Sequence, residues 1–186
     1  MGNREALLQA AAGCIAEKGY ARTTARDLVA ASGTNLGAIG YHFGSKERLL
    51  NEALYQGFAR WLEEVAANLP VEEAGTPWKV MEQAIGRFLE SLDSHRDLCL
   101  AFVEALAQVE RSPELRTQMA AGYERYRRAV ARRLQALGPG LAEAEAVRLA
   151  GLVLAVSDGL LIQWLLDPDA MPDAAELTAS LRTAAR

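Results

Sequence analysis

The chain has 186 residues, 51% of them hydrophobic, and 20 Lys and Arg against 24 Asp and Glu leave a formal net charge of −4. That composition supports a sizeable core, and its negative sign excludes a chain that binds polyanions over its whole surface. The charge is uneven, however: residues 1–60 hold 7 Lys and Arg against 5 Asp and Glu, and residues 61–186 hold 13 against 19.

In chain order, the opening MGNREALLQAA has no apolar leader core and no Ser or Thr at position six to complete a myristoylation signal. Cys14 and Cys99 lie on separate apolar helix faces, the pattern of core thiols rather than of a disulfide, so a reducing, cytoplasmic setting is expected. A first helix is expected from about Arg4 to Lys18, burying Leu7, Leu8, Ala11 and Ile15 and closed by Gly19. Thr23 or Thr24 then caps a second helix that carries Leu28 and Val29 inward and ends at Ser32-Gly33. Gly33 suits the left-handed conformation that turns one helix into the next within three or four residues, as in a helix-turn-helix. Asn35 is the cap of a third helix to about Phe43, which Gly37, Ala38 and Gly40 leave nearly bare on one side. Each glycine there costs about 1 kcal/mol relative to alanine, and a bare face lets a backbone approach the floor of a major groove.

The run from Gly19 to Leu50 resembles the DNA-binding domain of tetracycline-repressor (TetR) type regulators: a glycine four residues before a Thr-Thr pair, Arg26-x-Leu28, Ser32-Gly33, then Tyr-His-Phe-Gly-Ser-Lys-Glu-x-Leu-Leu. Many members carry an aromatic residue where this chain has Gly40. The resemblance implies an all-α protein with a helix-turn-helix domain over residues 1–46 and an effector-binding and dimerisation domain over residues 47–186. It also implies a homodimeric regulator, a repressor released from a palindromic double-stranded operator by a small, mostly hydrophobic effector. For DNA, Arg26 and Asn35 are expected at base edges, Leu36 at an apolar base contact, Gly37 and Gly40 at the close approach, and Thr24, Tyr41, His42 and Lys46 at phosphates.

Beyond the motif a helix is expected from Ser45 to about Asn68, then a linker EEAGT before Pro77. Further helices follow at about Thr76–Ser94, Arg96–Glu110, Pro113–Leu137, Ala142–Leu166 and Asp173–Ala185, broken at Ser112-Pro113, Gly138-Pro139-Gly140 and Asp167-Pro168-Asp169. Trp78, Met81, Ile85, Phe88 and Leu92 recur on one helix face, a pattern of plain core or of a pocket. The resemblance places a ligand cavity after the fourth helix, which makes Trp61, Trp78, Met81, Phe88, Phe102, Met119 and Tyr123 its expected walls. Tyr123, Gln83 and Asp158 are the candidate polar groups, although Asp158 serves an interface equally well. Arg125, Arg127, Arg128, Arg132 and Arg133 read as a solvated helix face before a second nucleic-acid patch.

Leu149 to Leu166 is interrupted by Ser157, Asp158 and Gln163 and reads as a buried helix rather than a membrane span. It is apolar nearly all round, which implies a second partner: the same helix of another subunit, with Leu161, Leu165, Leu177 and Leu181 at the interface. His42 and His95 lie far apart without ligand spacing, so no metal is expected, and no catalytic grouping, phosphate loop, dinucleotide fingerprint or cofactor motif is evident. A helical carrier or enzyme with a vestigial first domain is the alternative, and the joint retention of Arg26, Tyr41, His42 and Lys46 weighs against it.

Overall fold

A computed structural model describes residues 2–67, 76–137 and 140–184, and every described regular element is helical. The expected linker EEAGT before Pro77, the break at Gly138-Pro139 and the helix ends at Asn68 and Ala185 fall wholly or partly outside the described residues. In order the helices are α1 (Asn3–Lys18), α2 (Ala25–Ser32), α3 (Leu36–Phe43), α4 (Lys46–Ala67) and α5 (Pro77–Ser91). They continue as α6 (Arg96–Gln108), α7 (Pro113–Leu137), α8 (Glu143–Leu166) and α9 (Ala174–Ala184), with short 3-10 turns at Asp93–His95, Val109–Arg111 and Pro168–Ala170.

Local chemistry explains the boundaries. Gly19 closes α1 at φ +85°, a conformation that penalises any side chain, and its N–H donates to Ile15 at 2.8 Å. Thr76 caps α5 ahead of Pro77, and Ser112 caps α7 ahead of Pro113, so each proline sits at a first helical position where its missing N–H costs nothing. Asp173 accepts the N–H of Glu176 at 2.8 Å while Glu176 accepts that of Asp173 at 3.1 Å, a reciprocal cap for α9.

The helices form two compact units, Met1–Arg60 with Arg96–Glu124 and Trp61–His95 with Arg125–Arg186. Packing thus divides α4 and α7 in mid-helix. The reason lies in the first turns of α4, whose Leu49, Leu50, Ala53 and Leu54 are buried with Leu7, Leu8 and Ile15 of α1, Leu28 of α2 and Ile39 and Phe43 of α3. Each such leucine or isoleucine stabilises the fold by about 1.5–3 kcal/mol on burial. From α6 and α7, Ala101, Phe102, Ala105, Leu115 and Met119 complete the same core. In the second unit Trp61, Leu92, Val130, Leu154, Leu160, Leu161 and Trp164 are buried.

Both thiols are buried and unpaired, and burial pushes Cys14 above its ordinary range and Cys99 up to about 12. One helix among the described residues, α8, is long and apolar enough to cross a membrane, with a mean hydropathy of 1.9 over an 18-residue window.

Candidate nucleic-acid interface

The helix-turn-helix is built from short-range chemistry. The Thr24 hydroxyl accepts the N–H of Asp27 at 3.2 Å, and Asp27 accepts the Thr24 N–H at 2.8 Å, closing a capping box at the start of α2. Lys18 at the end of α1 reaches Asp27 Oδ1 at 2.5 Å, and this bond, followed by those from Thr24, holds the carboxyl well below its usual range. Gly33 is left-handed at φ 66°, as the turn requires, and the Asn35 side chain accepts the N–H of Ala38 at 3.0 Å to start α3.

Helix α3 then divides cleanly. Ile39 and Phe43 are buried, whereas Leu36, Gly37, Gly40 and Tyr41 are exposed, Leu36 at 58% and Tyr41 at 86%. Leu36 and Tyr41 thus share the solvent face of α3 with Gly37 and Gly40 and are free to meet a partner. Gly40 is equally pointed: a Cβ there meets no atom within 4 Å, so nothing inside the chain requires glycine. At Gly37 an added Cβ would lie 3.1 Å from Asn35 Oδ1, against the helix cap.

The structure brings the nine nominated DNA residues onto α2, α3, their caps and the start of α4, and it specifies what each has left to offer. Arg26 is exposed on the first turn of α2. Asn35 has its oxygen committed to the cap, leaving its NH2 for a partner. The single hydroxyl proton of Thr24 points to Asp27 Oδ2 at 2.6 Å, so the expected phosphate bond from that hydroxyl is already taken by the capping box. Lys46 donates to the Thr23 carbonyl at 3.1 Å and lies 3.5 Å from Glu47, while an ammonium keeps further protons for a phosphate. His42 is half-buried, edge-on to Tyr41 with ring centroids 4.9 Å apart. Arg48, exposed in the first turn of α4, lies 3.4 Å from Glu114 of α7.

The nominated effector walls separate. Phe102 and Met119 belong to the core of the first unit, with Tyr123 and Phe58 packed on it and the Phe58 and Phe102 rings 5.3 Å apart. In the second unit Trp61 stacks on Phe88 at 5.2 Å and on His95 at 4.6 Å, and its indole N–H donates to Ser91 at 2.7 Å. Trp78 and Met81 are half-buried on the same helix as Phe88, and the Arg182 guanidinium lies 5.8 Å from the Trp78 ring. Gln83 on that helix has a buried carboxamide oxygen with no hydrogen-bond donor among the described residues. Asp158 adds its charge to burial in pushing the Tyr126 phenol above its ordinary range.

Of the nominated interface residues, Leu161 is turned into its own chain at 2% exposure, and Leu165, Leu177 and Leu181 are half-buried. The apolar side chains that α8 exposes are Leu149, Leu152, Val153, Ile162 and Leu166.

Comparison with known proteins agrees with this architecture. Residues 7–53 match the pattern of bacterial regulatory proteins of the tetR family, and residues 79–186 match that of tetracyclin-repressor-like C-terminal domains. The HTH-type transcriptional repressor AcnR of Corynebacterium efficiens is 41% identical over 70 residues, covering 38% of this chain and 37% of the relative. The repressor KstR2 of Mycobacterium tuberculosis is 27% identical over 110 residues, 59% of this chain and 54% of its own length. The chain thus spans about a third to a half of the curated relatives it matches. Among solved structures, a TetR-family regulator from a Rhodococcus species superposes with a TM-score of 0.72 at 22% identity, covering 97% of each chain. The multidrug binding protein EbrR complexed with imidazole does so with a TM-score of 0.70 at 25% identity, covering 98% of this chain and 94% of its own. With its N-terminal and C-terminal regions both matched, the chain belongs to the tetR family of bacterial regulatory proteins.

Proposed function

We propose that this protein is a cytoplasmic transcriptional repressor that reads double-stranded DNA with α3 and releases it when a small effector binds. The observation that carries the reading is the outer face of α3, where Leu36, Gly40 and Tyr41 stand in solvent on a helix whose other face is fully used. Arg26 and the Asn35 NH2 reach base edges, Tyr41, His42 and Lys46 hold phosphates beside the N-terminus of α4, and Gly40 admits the backbone to the groove. A carrier with a vestigial first domain has no use for that exposed face.

For the effector, the supporting group is Trp61, Trp78, Met81 and Phe88 of the second unit, with the Gln83 oxygen, which has no donor among the described residues, as its polar anchor. EbrR, whose structures are described in complex with imidazole and with proflavin, supports a flat aromatic ligand class. Phe102, Met119 and Tyr123 are better explained as core. For assembly, the exposed leucines of α8 support a two-fold dimer in which that helix packs on its copy, since only 28% of its most apolar window is buried within the chain. A two-fold dimer that reads a palindromic operator needs its two α3 helices about 34–36 Å apart, or somewhat more.

The test separates base contacts from phosphate contacts. Lys46→Ala should weaken binding to all duplexes alike and lower the salt slope by about one unit, whereas Arg26→Ala should cost about 1–3 kcal/mol chiefly on a selected duplex. Equal loss of specificity in both variants would overturn the assignment.

A further inference from the structure

Glu104, in α6, is 83 residues distant in sequence from the partner its carboxylate reaches: Oε2 accepts the backbone N–H of Ala21 at 2.9 Å, in the corner between α1 and α2. The corner is shaped for it. A Cβ at Gly19 would lie 3.0 Å from Oε1 and 3.1 Å from Oε2, at a φ of +85°. The positive φ that closes α1 requires glycine, and a side chain there would also crowd the carboxylate.

Other groups fix the same corner, from Gly19 to Thr24, from different sides. The Tyr20 hydroxyl donates to the buried Asn51 Oδ1 at 2.8 Å, and Asn51 Nδ2 donates to Gln118 of α7 at 2.6 Å. Thr23, fully buried, donates to the Gly19 carbonyl at 2.7 Å, and Lys46 donates to the Thr23 carbonyl at 3.1 Å. The corner leads directly into the Thr24–Asp27 capping box and thence to Arg26, so its position sets where α2 begins and how α2 and α3 present themselves.

Building on the DNA-binding reading, we propose that Glu104 is a positioning residue for DNA recognition: by accepting the Ala21 N–H it holds the α1–α2 corner, and with it Arg26 and α3, in the register that base contacts need. Phosphate attraction tolerates small displacements of the helices and base-edge hydrogen bonds do not, so its contribution falls on specific binding. Only an acceptor at full reach serves. Glutamine keeps an oxygen there, aspartate keeps the charge but is one methylene short, and alanine keeps neither.

The experiment uses the full chain, a duplex enriched from a random pool by the wild-type protein, and an unselected duplex of the same length. Glu104→Ala and Glu104→Asp should each lose about tenfold on the selected duplex and little on the unselected one, while Glu104→Gln stays within about threefold. Hydrogen exchange of the Ala21 amide should accelerate in the alanine and aspartate variants and not in the glutamine variant, with melting temperatures near that of the wild type. Should Glu104→Ala fail to fold, the comparison of aspartate with glutamine still decides. Unchanged discrimination in Glu104→Asp, equal losses on both duplexes, or a glutamine variant as impaired as the aspartate variant would each overturn the proposal. A wild type that enriches no duplex would refute the DNA reading instead, and the exchange data would still test the contact.

Discussion

Lys18 and Asp27 join the end of α1 to the first turn of α2 through a 2.5 Å ion pair, and Asp27 simultaneously closes the capping box with Thr24. One carboxylate therefore both starts the second helix and fastens it to the first. Its pKa is depressed below the ordinary 3.8 by Lys18 first and Thr24 second, so its contribution is fully present above that value and is lost as the pH falls toward the depressed one. Lys18 is shifted upward from 10.5 by the same bond, so its share persists at and below that value and is lost only at higher pH. Asp27→Asn should lower the melting temperature at neutral pH and flatten its decline as the pH falls below about 4. Calorimetry across that range checks it, and an acid limb as steep as that of the wild type would remove Asp27 from the acid response.

Gly40 is expected to set stability against function. Nothing lies within 4 Å of an added Cβ there, and the helix conformation is ordinary, so Gly40→Ala should stabilise the protein by about 0.5–1 kcal/mol. This site lacks the aromatic residue that many members carry there, so on a duplex selected by the wild-type protein the added methyl should alter the fit of α3 to the groove and weaken binding about tenfold. Chemical denaturation and titration of one preparation give both numbers, and a variant that is stabilised without losing DNA affinity would mean that α3 approaches DNA by another face.

Leu152 and Leu161 separate an interface from a core on the same helix. Leu152 is 56% exposed and Leu161 is 2% exposed, so Leu152→Glu should give a folded monomer. Leu161→Glu should destabilise the chain itself by several kcal/mol, since it buries an unpaired carboxylate. Sedimentation and circular dichroism distinguish the two outcomes. A dimeric Leu152→Glu protein would move the interface off this face of α8.

The outcome for Leu161 also marks where sequence reading stops. Thr24, Asn35, Gly19 and Gly33 act on groups within a few residues, so caps and turns are legible from the chain alone. The faces of α8 are not, because Leu152 and Leu161 are about two and a half turns apart and point opposite ways on a helix that is apolar all round. Aromatic spacing was equally silent on whether Phe102 and Met119 line a pocket or fill the core around α1 and α4. Glu104, Asn51 and Gln118 carried no local signal, since each acts on a partner distant in sequence.

The measurement that bears most directly on the whole account is selection of duplexes by the wild-type protein from a random pool, followed by titration of the enriched sequence at several salt concentrations. The expected result is a two-fold symmetric sequence, bound at least about a thousandfold more tightly than an unselected duplex and with an affinity that falls steeply as salt rises. Failure to enrich any sequence, with equal binding to every duplex at low salt, would contradict the assignment of α3 as a DNA-reading helix.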